Sequence, residues 1–229
     1  MASKGCPIDP SNTCCTSGGP CKAVPPCSGK NVDDAKSQDF APTTGICEHL
    51  NAFHVYADDE KRFIETNHYC THLEPDFRQC ILYDGPQKGA RLLGVEYMCT
   101  PELFATFPEE EKQYWHSHVY EVKSGMLVLP KPPFITQEEW DKAETSAMES
   151  VVKLYGKTYH FWQVDKGHKY PFGPPSLMMS FTHDGQFDFD KNVGDRDKRF
   201  GIDYHKKRQL RDSIPDFKID PAVDKFRKK

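Results

Sequence analysis

Between Asn67 and Tyr83 the chain reads as two extended runs with a break. Asn67-His68-Tyr69-Cys70-Thr71-His72-Leu73 gives way to Glu74-Pro75-Asp76. Phe77-Arg78-Gln79-Cys80-Ile81-Leu82-Tyr83 then runs into Asp84-Gly85-Pro86. Aromatic and β-branched residues bounded by Pro, Gly and Asp mark strands joined by a turn, so residues 68–83 are predicted as a hairpin. Ala90 to Met98 predicts a third strand. Upstream, Asp58 and the charged run after it predict a short capped helix with Phe63 and Ile64 on its buried side. Thr100-Pro101-Glu102 starts a helix with proline in its first turn, and Pro108 divides the pattern into two short pieces ending at Tyr114 or Trp115. Residues 115–129 predict a long or bent strand. The clearest helix runs from Gln137 to Tyr155. Thr136 and Glu139 form its capping box, Trp140, Ala143, Ala147, Val151 and Leu154 lie along one face, and Gly156 is its stop. Tyr159–Val164 and Leu177–Phe181 predict the last strands.

Strands and helices mix without a regular βαβ beat, which points to an α+β fold: a mainly antiparallel sheet with a few flanking helices, in a single domain. The patterning fails at both ends. Residues 1–45 are rich in Cys, Pro and Gly and predict a disordered tail. The globular α+β domain is assigned to 46–185. Residues 186–229 are charged and sparse in apolar positions, with anchors at Phe200, Ile202 and Ile214, and are expected to wrap over the domain.

Composition narrows the function classes. A chain of 229 residues with net charge -4 lacks the basic excess of a general nucleic-acid binder. No run approaches 18 apolar residues, so no transmembrane segment is expected. The first residues lack the apolar core of a secretory signal, so a cytoplasmic protein with reduced thiols is expected. Five of the nine cysteines lie before residue 30, and none forms a CxxC pair.

The candidate chemistry is histidine chemistry. Eight of the ten histidines fall between residues 49 and 168. His68 and His72 share a face on a strand and equally on a helix. His116 and His118 share one in a strand, and Glu121 then falls on the opposite face unless a bulge intervenes. His68, His72, His116 and His118 are the candidate metal ligands, with Glu121 as ligand or general base. His54, Cys70, His160 and Trp162 are assigned to the surrounding pocket. Two or three imidazoles with a carboxylate suit a divalent transition metal, Zn, Fe, Mn or Cu. Such a centre polarises a carbonyl or activates water, which describes a metal-dependent enzyme acting on a small organic substrate. The same pocket without metal would hold a small-molecule ligand, and the plainest alternative is a set of hydrogen-bonded core histidines. The run His116-x-His118 with Glu121 and Gly125 is similar to the cupin His-x-His…Glu…Gly motif at shorter spacing, without a second cupin motif to match it. No Gly-rich phosphate loop, G-x-S-x-G or H-E-x-x-H pattern occurs.

Several blocks in order carry a broader likeness. They are His54-Val-Tyr-Ala-Asp58, Asn67 to Leu73, Asp76 to Asp84, Ala90 to Tyr97, Trp115 to Gly125, and Tyr155 to Asp165. Over about residues 46–185 the chain resembles the oil body-associated protein family, a domain-of-unknown-function family. The resemblance implies a soluble protein found in plants, fungi and bacteria, whose plant members associate with seed oil bodies and support their stability. It implies a lipid-droplet surface as partner and location, and it carries no established catalytic residues.

Overall fold

The computed structural model describes residues 40–226, so the N-terminal cysteine-rich run up to residue 39 lies outside the described residues. The chain divides after Pro42, and the unit from Thr43 onward carries the fold.

Its sheet begins with a meander: β1 (Glu48–Tyr56), β2 (Asp59–Glu74), β3 (Phe77–Tyr83) and β4 (Leu92–Cys99). The predicted hairpin is present as β2 and β3, with Asn67 opposite Tyr83 and Cys70 opposite Cys80. The helix expected after Asp58 is instead the start of β2. Alternation decides this: Ile64, Thr66, His68 and Cys70 are buried in turn along the strand, while Phe63 lies on the other face in a different apolar cluster.

Two short helices follow, α1 (Pro101–Ala105) and α2 (Glu109–Lys112), separated at Pro108 as expected. Thr100 caps α1 by accepting from Leu103 N. The predicted strand over 115–129 is absent. In its place stand a two-residue strand, β5 (His116–Ser117), and a helix, α3 (Val119–Lys123). The major helix, α4 (Gln137–Val151), carries the predicted capping box. It ends four residues before Tyr155, because Tyr155 and Gly156 belong to β6 (Tyr155–His160) and pair with β4 and β5. The buried face of α4 is Asp141, Glu144, Met148 and Val151 rather than the expected line through Trp140, Ala143 and Ala147. Two carboxylates turn inward because they meet Lys207 and Arg211 of the C-terminal segment.

β6 pairs on one side with β4 and on the other with β7 (Ser176–Met179), and β7 pairs with β1. The antiparallel sheet therefore closes on itself as a six-stranded barrel. β7 covers only part of the gap between β6 and β1. β5 takes up the β6 edge below it, and Val128 bridges to Asn51 on β1. This patch brings the His116–Val128 segment into the barrel wall.

The C-terminal segment forms α5 (Phe189–Asn192), α6 (Gly194–Phe200) and α7 (Tyr204–Leu210). Arg196 and Arg211, both buried, donate to backbone carbonyls of the 122–127 stretch: Arg196 to Met126, Arg211 to Val122 and Leu127. One apolar cluster joins Leu50, Ala52, Met98 and Met178 of the barrel to Met148 and Val151 of α4. A second joins Phe53, Val55 and Met179 to Phe181, Phe187 and Val193.

Candidate functional site

Period two sends His54 of β1, His68 of β2, Glu96 of β4 and His160 of β6 to the barrel interior, where all are buried. His116 and His118 enter through the β5 patch, also buried, their rings 5.1 Å apart. Glu121 arrives by a route that an all-strand reading cannot provide. It lies one helical turn beyond His118 on α3, with Oε2 4.0 Å from His118 Nε2.

Glu96 is the centre. Its Oε2 lies 2.9 Å from His68 Nε2 and 3.6 Å from His54 Nε2. Its Oε1 lies 3.2 Å from His116 Nε2 and 3.5 Å from His118 Nε2. These contacts are close without hydrogen-bond alignment, and both Glu96 oxygens and His116 Nε2 make no hydrogen bond to another protein group. His54 Nε2 faces His68 Nε2 at 3.0 Å, and His54 Nδ1 faces His160 Nε2 at 3.0 Å. His118 Nδ1 donates to the Leu154 carbonyl at 2.9 Å, which leaves Nε2 directed at Glu96.

Protonation follows the crowding. Burial pushes the Glu96 carboxyl up, but the imidazoles of His116, His118 and His68 outweigh it and hold the group well below the usual range. Burial and the neighbouring His68 hold His54 well below its usual value, and burial brings His160 down to about 3. His118 goes the other way. Burial lowers it, yet Glu96 and Glu121 raise it to about 9. Burial raises the Glu121 carboxyl against the pull of His118.

The residues singled out in the sequence divide. His68, His116, His118, Glu121, His54 and His160 meet at the cluster. His72 does not: it keeps the inward phase of His68, but β2 has run past the barrel rim there, and its side chain is 44% exposed and paired with Glu48. Cys70 is joined to Cys80 across β2 and β3, which corrects the expectation of reduced thiols at this pair and means that Cys70 brings no free thiol to the pocket. Trp162 lies beyond the end of β6, where its Nε1 donates to the His168 carbonyl. The cupin likeness ends at Glu121, which comes from a helix turn rather than along a strand. Glu96 is not among the residues singled out by the sequence pattern. The available signal was a lone carboxylate in the inward phase of the apolar strand Leu92–Cys99.

Imidazole and carboxylate are a donor set for a divalent transition metal. Within the described residues, two groups bring their donor atoms within 4.8 Å of one another: His54, His68 and Glu96, and Glu96, His116 and His118. The cluster is closed to solvent. The surface groove over α4 and α7, lined by Gln137, Asp141, Thr145 and Lys206 among others, shares no residue with it.

Comparison with known proteins places the chain. No solved structure matches it. Oil body-associated protein 1B of Arabidopsis thaliana is 44% identical over 197 residues, 84% of this chain and 78% of that protein. Oil body-associated protein 1A of Zea mays is 46% identical over 190 residues, 82% of this chain and 76% of that protein. Oil body-associated protein 2A of Zea mays is 36% identical over 181 residues. The model of a family described as "Protein of unknown function (DUF1264)" matches residues 40–215, which include the whole barrel and its histidine cluster, and the chain belongs to that family.

Proposed function

We propose that this protein acts at the surface of lipid droplets. The observation that carries the reading is kinship: relatives named for oil bodies match more than four fifths of the chain at 44% and 46% identity. A means of contact is present at the barrel rim where β6 ends. Leu92 (48%), Phe161 (44%), Tyr170 (54%) and Phe172 (57%) are exposed there. The segments that carry them contact one another, Trp162 Nε1 donating to the His168 carbonyl. The Phe161 and Trp162 N–H groups both donate to the Leu93 carbonyl, and the rings of His168 and Tyr170 each lie 5.9 Å from Phe172. Arg91 lies over Trp162 and Lys169 over Tyr170. Exposed rings framed by cations suit the boundary between acyl chains and anionic headgroups. Among the described residues no helix is long and apolar enough to cross a membrane. Flotation of the tagged protein with droplets from lipid-loaded cells is the test. Wild type is expected in the floating layer, and Tyr170→Ala with Phe172→Ala is expected to move most of it to the aqueous fraction. Wild type found wholly in the aqueous fraction sinks the reading.

A second reading is favoured by the cluster around Glu96: a metal-dependent enzyme acting on a small organic substrate, with Glu121 as general base. Its substrate would have to reach a buried centre, which makes this the lesser of the two.

A further inference from the structure

The interior of the barrel concentrates polar atoms that the protein does not satisfy. Both Glu96 oxygens, His116 Nε2 and Nδ1, His68 Nδ1, His160 Nδ1 and Glu121 Oε1 are buried without a hydrogen bond to another protein group. A native interior rarely leaves such atoms orphaned, and a tight group of them signals a missing partner. The donor atoms also have a definite arrangement. His68 Nε2, His54 Nε2 and Glu96 Oε2 form a triangle with edges of 2.9, 3.0 and 3.6 Å. Ligands at about 2.0–2.2 Å in a tetrahedral site stand about 3.4 Å apart, so the triangle matches one face of such a site. On the other side of the same carboxylate, His116 Nε2 and His118 Nε2 stand 3.2 and 3.5 Å from Oε1.

We propose that Glu96 bridges two divalent transition-metal ions, one held with His54 and His68 at Oε2, the other with His116 and His118 at Oε1. Each oxygen serves one ion, and a carboxylate bridging in this way sets ions about 3.5–4 Å apart. Surrounding groups fit supporting roles. The Leu154 carbonyl accepts the hydrogen bond of the His118 Nδ1–H and leaves Nε2 for the metal. His160 faces Nδ1 of His54 in the same way and orients it. Glu121, with a free oxygen and its other oxygen 4.0 Å from His118 Nε2, supplies a second carboxylate on the Oε1 side. Imidazole with carboxylate favours Zn, Fe, Mn or Cu over the oxygen-seeking alkaline earths.

This inference does not depend on droplet association, which can fail in flotation without affecting it. It bears on the enzymatic reading but is tested without turnover. The test is metal content of the full chain, stripped with chelator and reloaded with Zn2+ or Co2+, measured by elemental analysis after desalting. Two equivalents are expected in wild type and in His72→Ala, one in His68→Ala and one in His116→Ala, and less than a tenth in Glu96→Ala. Co2+ is expected to develop the visible bands of a low-coordinate site in two equal steps. A wild type that takes up no metal overturns the proposal. So does a wild type that saturates at one equivalent, or a single equivalent abolished by either histidine variant. If the variants do not fold, the wild-type stoichiometry and the Co2+ titration decide alone.

Discussion

Gly156 on β6 leaves the space that the Glu96 carboxylate fills. A Cβ at position 156 would lie 2.3 Å from Glu96 Oε1 and 2.6 Å from His116 Nε2. Neither atom has slack, since each belongs to a buried side chain surrounded by other buried side chains. Gly156→Ala is therefore expected to force Glu96 and His116 from their places. Overpacking of this kind costs about 1–3 kcal/mol, read as a lower urea midpoint with unchanged slope. Stability equal to wild type would show that the cluster is loosely held.

The parts of the fold legible in the sequence are those fixed by short-range chemistry. Thr100 and Thr136 announce helix starts because their hydroxyls serve backbone N–H groups within one turn. Pro75-Asp76 separates β2 from β3. What failed depends on depth and distant partners. Period two gives the face of His72 correctly, but not that the strand leaves the barrel before reaching it. Val119-Tyr120-Glu121-Val122 has strand-like composition, yet it turns into a helix whose end is held by Arg211 and by Lys123 reaching the Ile214 carbonyl. The buried carboxylates of α4 were hidden for the same reason, since their cations lie more than sixty residues away. Glu96 stands between His54 with His68 and His116 with His118. The sequence pairs only the second two, and only closure of the barrel brings His54 and His68 to them.

Arg211 secures the segment that carries three of the cluster residues. Its Nη1 donates to the Val122 and Leu127 carbonyls at 2.8 and 2.7 Å, and its Nη2 to Glu144 Oε1 at 3.1 Å. Arg211→Met removes all three and leaves Glu144 with one cation fewer in a buried setting. Breaking a buried pair from one side costs about 3–5 kcal/mol. The expected result is a large drop in unfolding free energy by chemical denaturation. His72→Ala, at the exposed rim, is expected to change it by less than about 0.5 kcal/mol. Equal effects of the two substitutions would contradict the anchoring role.

The capping box of α4 makes a smaller, local prediction. Thr136 Oγ1 accepts from Glu139 N at 3.3 Å, and Glu139 Oε2 accepts from Thr136 N at 3.2 Å. Thr136→Ala removes one arm and is expected to cost about 1 kcal/mol. Droplet flotation is expected to stay unchanged, because the aromatic rim lies on other elements. A loss of flotation in this variant would place the contact surface elsewhere.

Asp141 is expected to contribute to acid sensitivity. Its carboxylate accepts from Lys206 Nζ at 2.7 Å, Lys207 Nζ at 2.8 Å and Gln137 Nε2 at 2.8 Å. Burial pushes the carboxyl up, but these three partners outweigh it and bring it from 3.8 down to about 2. A carboxyl depressed in the folded state contributes stability that is fully present above its unfolded value. That stability is lost as pH falls through the folded one. For Asp141 the window runs from about pH 4 down to about pH 2, and the contribution is intact at neutral pH. In Asp141→Asn the same contribution is missing at every pH. Denaturation midpoints taken at half-unit steps from pH 6 to pH 2 therefore separate the two proteins. Wild type is expected to stand above the variant at pH 6 and to converge on it as pH approaches 2. A gap that stays constant across that window would mean that Asp141 acts through packing alone and not through its charge.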